Sequence, residues 1–265
     1  LKGETIEITN ASTLAGQLVF AQHYETTGNK ESLRLILEAA ELAFDDNGDP
    51  LEAAPMHNEM SDSFFMATPL LVKAGEFTNN RKYYDMAAQH IIYMRNLLLR
   101  PNGLYRHSPE ADVAWSRGNG FAALGLALAL TDFPKELPTR DIILGFLADQ
   151  LNALLPYQDP DGMWHEVIDY PGSFAEITST AMIGTAIKRG LDQGWLSEEI
   201  FRPALQKAWH AVKVRTSFEG VFVNACTSTG KMASLDAYLD RLAIFDTDDR
   251  AGGMVMNFSI EMADL

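Results

Sequence analysis

The chain has 265 residues, of which 36 are acidic and 21 basic, giving a formal net charge of −15. This charge repels the phosphates of nucleic acids and anionic membrane surfaces, so we expect neither as a partner. The single cysteine, Cys226, excludes an internal disulfide and a cysteine-based zinc site. The longest apolar run, residues 121–130, is too short for a membrane span. The chain opens without Met and without an apolar leader, so either a signal peptide is absent or the true N-terminus lies outside this sequence. With the single cysteine, the first alternative leads us to expect a cytoplasmic protein.

Apolar residues with a spacing near 3.6 predict nine helices along the chain. In chain order we expect them near residues 12–26, 31–45, 62–74, 80–99, 118–132, 139–155, 174–190, 197–215 and 251–263. Only residues 166–169 and 221–225 favour an extended conformation. The pattern therefore predicts an all-α protein.

A glycine followed by an apolar and then an aromatic residue recurs between these helices. The copies are Gly103-Leu-Tyr105, Gly162-Met-Trp164 and Gly220-Val-Phe222, spaced 58 or 59 residues apart, with a weaker one at Asp46-Asn-Gly48. Each repeat holds a short apolar helix and a longer amphipathic one, which predicts stacked helical hairpins in an open solenoid or a closed toroid. In a toroid the apolar helices form an inner ring, and the glycine turns gather at one mouth.

A ring of six such hairpins needs roughly 350 residues at this period. Nine helices are three fewer than such a ring contains, and we expect the missing ones at the N-terminus. Since no linker rich in Pro, Gly or Ser divides the sequence, residues 1–265 are expected to form a single domain.

Several motifs in order carry a family resemblance. They are Ser61-Asp-Ser-Phe-Phe-Met66, Gly103-Leu-Tyr-Arg-His107, Trp115-Ser-Arg-Gly-Asn-Gly-Phe121, Gln158-Asp-Pro-Asp-Gly-Met-Trp164 and Ser173-Phe-Ala-Glu-Ile-Thr-Ser-Thr-Ala181. Together they resemble glycoside hydrolase family 105, the unsaturated rhamnogalacturonyl hydrolases, which are related to the unsaturated glucuronyl hydrolases of family 88. The resemblance covers roughly residues 55–226 and implies an (α/α)6 barrel, a toroid of six hairpins.

The resemblance also implies an unusual reaction. Pectin lyases leave a sugar acid with a C4=C5 double bond at the non-reducing end of the oligosaccharide. Enzymes of this family hydrate that vinyl ether: an Asp protonates C4 and activates water toward C5, and the hemiketal collapses to free the neighbouring sugar. One carboxylate acting first as acid and then as base is sufficient.

By matching position, Asp62 is the expected acid and base. The expected substrate-binding residues are Met66, His107, Trp115, Arg117, Asn119 and Trp164. Met66 follows Asp62 by one helical turn and shares its face. The Arg117 guanidinium is expected to hold the substrate carboxylate through a bidentate pair.

Two departures from the family pattern affect these expectations. Asn10 stands where many relatives carry a second Asp, and an amide cannot share a proton. The spacing from His107 to Trp115 is shorter than in many relatives, so the subsite for the leaving sugar is expected to differ. The sequence does not identify that sugar.

Simpler interpretations stand beside the functional ones. Asp62 alone could cap a helix, His107 alone could be a turn residue, and Trp164 is either a stacking platform or a filler of its hairpin. Three further acids are expected near the same mouth: Glu166, Asp169 and Glu176. In an ordinary inverting glycosidase one of them would be the partner of Asp62.

Two other functions remain open. A sugar epimerase on the same toroid would need two opposed histidines as bases, and a non-catalytic carbohydrate-binding relative would need no acid. Partial matches to a dinucleotide fingerprint near residue 118 and to a calcium loop near residue 45 lack their structural context. We therefore expect no cofactor and no metal.

Overall fold

The computed structural model describes residues 7–263, and helices dominate it. The helices are α1 (Ala11–Ala15), α2 (Leu18–Thr27), α3 (Lys30–Glu41), α4 (Ser63–Met66), α5 (Thr68–Thr78), α6 (Arg81–Leu98), α7 (Ser116–Asp132), α8 (Thr139–Leu154), α9 (Ile177–Asp192), α10 (Glu198–Val214), α11 (Leu235–Leu239) and α12 (Asp249–Ala263). A 3-10 turn covers Leu155–Tyr157, and the strands are β1 (Trp164–His165), β2 (Ala175–Glu176), β3 (Phe222–Cys226) and β4 (Ala243–Asp246).

The helices alternate between an inner and an outer layer, as the repeat predicts. Helices α5, α7, α9 and α12 lie side by side in the inner layer, and α6, α8 and α10 pack behind them. Almost every residue of α7 and α9 is buried, whereas α6 and α10 bury one face. Small residues let the inner helices approach closely: a Cβ on Gly125 of α7 would lie 2.3 Å from the Phe64 carbonyl oxygen of α4. Within residues 7–263 the hairpins are α2–α3, α5–α6, α7–α8 and α9–α10, followed by α12.

The repeated glycines form the same turn after each outer helix. Gly48, Gly103, Gly162 and Gly220 have φ of 82°, 84°, 96° and 79°. The N–H of each donates to the carbonyl oxygen three residues earlier, at 2.9–3.2 Å. Only glycine adopts such a φ without strain, which explains why glycine recurs at this point of each repeat.

Two predicted helices are interrupted in the structure. The helix predicted over 12–26 is divided between α1 and α2 at Gly16. The helix predicted over 62–74 is divided at Ala67, where φ is −115°. Pro69 causes the second break, because a proline lacks the N–H that would continue the helix and its ring conflicts with the preceding turn. Helix α11 had no sequence prediction.

The sheets are small and antiparallel. Trp164 of β1 pairs with Glu176 of β2, and Phe222 of β3 pairs with Asp246 of β4. The extended conformation predicted for 166–169 is wrong apart from a single bridge at Val167, because the chain turns there. The extended conformation predicted for 221–225 corresponds to β3.

The two ends of the inner layer differ in character. A cavity of about 640 Å³ between α2, α5, α7, α9 and α12 has apolar lining residues such as Phe65, Phe121 and Met182, and charged ones such as Lys73 and Asp132. At the carboxyl ends of the inner helices, Lys73 pairs with Asp132 at 2.8 Å and with two glutamates. The glycine turns and the starts of α4, α7 and α9 lie at the opposite end. No helix within residues 7–263 is both long and apolar enough to cross a membrane.

Candidate active site

Asp62 stands immediately before α4, but it does not cap that helix. Its side chain accepts no hydrogen bond from the backbone of the first turn. Its Oδ2 lies 3.2 Å from Nε2 of His107, and the side chain is 15% exposed. The simpler interpretation of Asp62 as a helix cap is therefore wrong for this side chain, which is directed at an imidazole instead.

His107 is completely buried and lies between two oxygen atoms. Nε2 faces Asp62, and Nδ1 lies 2.8 Å from the hydroxyl of Tyr238 in α11. The Asp62 contact is close without being aligned as a hydrogen bond, and neither atom has another partner in the part of the chain that the structure describes. Catalytic hydrogen bonds are often loosely aligned before substrate binds.

Trp115 and Arg117 extend this group at the start of α7. The Trp115 ring centroid lies 4.3 Å from that of His107, and the Arg117 guanidinium lies 4.8 Å from the Trp115 ring. The two terminal nitrogens of Arg117 donate to the carbonyl oxygens of Cys226 and Thr227, both at 2.6 Å. Each terminal nitrogen thus uses one of its two N–H groups on the backbone, and the bidentate pair with a substrate carboxylate stays a prediction.

A second acidic group lies beside Arg117 and is wholly buried. The Cys226 thiol donates to Oε1 of Glu166 at 3.1 Å, while Oε2 of Glu166 has no partner among the described residues. Burial raises the pKa of Glu166 to about 7 and the pKa of Cys226 to about 12. Glu176 caps α9 by accepting from the N–H groups of its first turn and also accepts from the Cys226 N–H. This glutamate holds β3 against α9.

A segment between β3 and β4 closes the mouth over these residues. We call residues 227–242 the cover segment. Its Tyr238 bonds to His107, and Nζ of its Lys231 lies 3.6 Å from Glu59 and 3.3 Å from Glu110. Tyr238 also packs with Trp115, Val113, Val167 and Cys226 in a small apolar cluster. Tyr238 of this segment thus contacts both buried side chains, His107 and Trp115.

Several buried polar atoms near Asp62 lack a hydrogen-bond partner in the described part of the chain. Besides the Asp62 and His107 atoms, they include Oγ of Ser61 and Ser116, Nε1 of Trp115 and Oγ1 of Thr227. Buried polar atoms in folded proteins almost always have a partner from protein or water. A site with this many free donors and acceptors suits a polar ligand.

Asn119 and Trp164 direct their polar atoms at the backbone, and substrate contact by either residue stays a prediction. Both are fully buried. The Asn119 amide bonds to backbone atoms of Tyr105 and Trp115, and the Trp164 indole donates to the Leu154 carbonyl at 2.8 Å. Trp164 is therefore a filler of its hairpin, and Asn119 joins the start of α7 to the preceding turn.

Asn10 and Met66 occupy the remaining predicted positions. Asn10 is exposed and caps α1, with its Oδ1 accepting from the Thr13 N–H at 3.0 Å. Met66 is 9% exposed and packs with Phe121 and Met182 in an apolar cluster beside the central cavity. Asp169 bonds to Arg100, so it holds a neighbouring loop.

Tyr238 is the residue of this site that sequence reasoning missed. It lies 131 residues after His107 and belongs to no motif, so only the folded chain brings the two together. Among the described histidines, His107 alone pairs with Asp62, and His90 is bonded to Ala54 and Ser63. The pair of opposed histidines that an epimerase would need is not seen within residues 7–263.

The stacked helical hairpins bring Asp62, His107, Trp115 and Arg117 together at one end, and their fold is that of the six-hairpin toroid enzymes. The model of Glycosyl Hydrolase Family 88 matches residues 2–265. The chain belongs to that family, and the resemblance noted from its motifs is confirmed.

Two curated relatives are hydrolases. The chain is 27% identical over 186 residues to the unsaturated rhamnogalacturonyl hydrolase YesR of Bacillus subtilis, covering 67% of this chain and 52% of the relative. It is 29% identical over 171 residues to an unsaturated 3S-rhamnoglycuronyl hydrolase of Formosa agariphila, covering 57% and 45%. The match thus spans about half the length of these relatives.

Solved structures share the fold. A possible member of family GH105 from Salmonella enterica superposes over 100% of this chain and 74% of its own, with a TM-score of 0.84 and 23% identity. The unsaturated glucuronyl hydrolase of Bacillus sp. GL1 superposes over 95% and 78%, with a TM-score of 0.68 and 14% identity. These likenesses support the toroid that the family resemblance implies over the open solenoid that the repeat alone also allowed.

Proposed function

We propose that this protein releases the 4,5-unsaturated uronic acid from the non-reducing end of pectin-derived oligosaccharides, such as unsaturated galacturonyl-rhamnose. The reaction is hydration of the C4=C5 vinyl ether, with Asp62 as general acid and then general base. The observation that carries the proposal is the Asp62 carboxylate itself, which is free of a capping role and faces His107 at 3.2 Å. Family membership and the names of the relatives support the substrate class.

In this reaction Asp62 first gives its proton to C4, and positive charge develops at C5 beside the ring oxygen. The resulting carboxylate then takes a proton from the water that attacks C5. The hemiketal at C5 opens, and the anomeric carbon loses the neighbouring sugar. Because one group acts twice, the reaction does not need the second carboxylate of an ordinary glycosidase.

The other residues near Asp62 have separate tasks in the proposal. His107 holds the Asp62 carboxylate by its Nε2, and the Trp115 ring fixes the imidazole by packing on it. Arg117 holds residues 226–227 against α7 and adds positive charge near an anionic substrate. Within this proposal, residues 1–265 act as one domain.

Hydration can be distinguished from ordinary glycosidic cleavage by deuterium. We expect incubation in D2O with unsaturated galacturonyl-rhamnose to place one deuteron on C4 of the uronate product, on one face only, as early proton NMR spectra would show. Attack at the anomeric carbon would instead give a first product that keeps its double bond and carries no deuterium at C4. That outcome would overturn the proposal. Binding without turnover would instead indicate a carbohydrate-binding relative.

A further inference from the structure

We infer that Tyr238 is a positioning residue for the proposed reaction. It acts on Asp62 through the imidazole of His107. The inference rests on the proposed function and extends it to the cover segment, residues 227–242. It starts from the chain of three side chains in which Nδ1 of His107 lies 2.8 Å from the Tyr238 hydroxyl and Nε2 lies 3.2 Å from Oδ2 of Asp62.

A neutral imidazole has one N–H donor and one acceptor nitrogen, so its partners determine which nitrogen carries the proton. When Asp62 is ionised, Oδ2 can only accept, and Nε2 must carry the proton to bond with it. Nδ1 is then an acceptor and needs a donor. In the described part of the chain the Tyr238 hydroxyl is the donor within reach.

The hydroxyl also suits the other state of Asp62. When Asp62 is protonated it can donate to Nε2, and the imidazole proton must then lie on Nδ1. The Tyr238 oxygen can accept from Nδ1, because a phenol hydroxyl is both donor and acceptor. The imidazole carries one proton in each state, and only its position changes. Tyr238 therefore satisfies His107 before and after Asp62 gives up its proton.

The surroundings keep Tyr238 in its neutral form. Burial, with smaller effects from Asp62 and Glu110, raises the pKa of Tyr238 to about 12. Its ring is 0% exposed and packs with Trp115 and Val167. The hydroxyl is thus protonated across the neutral range and its position is fixed by apolar packing.

The position of Tyr238 in the cover segment adds a consequence. The same segment is joined to the wall of the mouth by Lys231, which contacts Glu59 and Glu110. The cover segment thus supplies the hydrogen-bond partner of Nδ1 of His107. The Asp62–His107 pair is therefore completed by the same segment that excludes solvent from it.

The direct test is the protonation state of His107 in the full chain labelled with 15N-histidine, assigned by comparison with His107→Gln. At neutral pH we expect the wild type to show the Nε2–H tautomer, with Nδ1 accepting a hydrogen bond. In Tyr238→Phe we expect the Nδ1 resonance to move and the tautomers to mix. Tyr24→Phe, whose ring packs on Phe77, is the matched control and should leave the His107 signals unchanged. A wild-type His107 in the Nδ1–H tautomer, or identical spectra for wild type and Tyr238→Phe, would overturn the inference.

Kinetics provide the second readout. Tyr238→Phe is expected to lower kcat about tenfold, the size of one lost buried hydrogen bond, with KM little changed. If the wild type hydrates the unsaturated uronide and the His107 spectra do not respond to Tyr238→Phe, the inference about Tyr238 fails and the proposed function stands. If the spectra respond and the wild type does not turn over any unsaturated uronide, the proposed function fails and the hydrogen-bond chain stands.

Discussion

Glu166 illustrates how burial changes a carboxyl group near this site. It is 0% exposed, and its contacts are a thiol, the guanidinium of Arg117 nearby and a second glutamate. Burial disfavours the charged form, so the folded protein binds a proton on Glu166 over a pH range in which the unfolded chain does not. The difference between the two states is up to one proton, and it applies between about pH 4.5 and 7.

This shift predicts a pH dependence of stability. Between about pH 4.5 and 7 the native state holds more protons on Glu166 than the unfolded state, so the free energy of unfolding falls as pH rises through that window. Glu166→Gln should remove this slope, so that its stability relative to wild type is greater at pH 8 than at pH 5. Urea unfolding of both proteins at the two pH values measures this difference in the free energy of unfolding.

Glu199 on α10 is exposed, so Glu199→Gln is the matched control for that experiment. It should change the free energy of unfolding at neither pH. If Glu166→Gln retained the wild-type slope, Glu166 would not be the group responsible.

Sequence reasoning could predict which residues meet at the mouth, whereas their roles in binding and catalysis stay predictions. Asp62, His107, Trp115 and Arg117 lie in consecutive motifs, so their positions could be predicted, and the structure places them side by side. The hydrogen bonds of Arg117 to residues 226 and 227 span more than 100 positions. No local pattern records such a contact, and the same holds for Tyr238.

At the scale of elements, the close approach of α4 and α7 determines where Asp62 lies. Gly125 of α7 faces the backbone of Phe64 and Phe65, with a Cβ position 2.3 Å from the Phe64 carbonyl oxygen and 2.7 Å from the Phe65 nitrogen. Backbone atoms cannot turn aside as a side chain can. Any side chain at Gly125 must therefore push α4, and Asp62 with it, away from α7.

We expect Gly125→Ala to lower the free energy of unfolding by about 1–3 kcal/mol, the usual cost of overpacking, and to reduce activity. Gly145→Ala is the matched control, because it lies in α8 and a Cβ there has open space. That change should raise stability by about 0.5–1 kcal/mol through helix propensity. Chemical unfolding measures the free energy of unfolding of both variants. Equal changes in the two variants would show that α4 can move away from α7 without loss of stability.

The elements themselves were largely predictable, and the failures have identifiable causes. The glycine turns have positive φ at every repeat, so their sequence signal reflects a backbone requirement. The break at Ala67 follows from Pro69, which lies in the first turn of α5. Helix α11 has five residues, too few for a periodic pattern to emerge.

At the scale of the whole molecule, the two ends of the toroid carry different groups of residues. The mouth holds free polar groups and the cover segment. At the other end Lys73 joins α2, α5 and α7 through Glu25, Glu76 and Asp132. The Lys73 side chain is 20% exposed, and hydrogen bonds to these carboxylates hold the pKa of its ammonium above the ordinary value in spite of burial.

Lys73→Met would leave three carboxylates facing one another without a cation. We expect the free energy of unfolding to fall by about 2 kcal/mol, less than for a fully buried pair because water still reaches the group. Lys30→Met, exposed at the start of α3, is the control and should have little effect. Denaturant midpoints compare the two; an unchanged midpoint for Lys73→Met would mean that the cluster does not join these helices energetically.

The most direct test of the central claim is the loss of ultraviolet absorbance from the conjugated C4=C5 bond of unsaturated galacturonyl-rhamnose, with Asp62→Asn alongside. We predict loss with the wild type and a rate lower by about 10²–10⁴-fold with Asp62→Asn, the range of general acid–base catalysis, while both proteins show the same thermal unfolding. No loss with this disaccharide or with a panel of unsaturated glucuronyl disaccharides, from a folded protein that still binds them, would contradict the proposed hydration, and an unchanged rate with Asp62→Asn would contradict the role of Asp62.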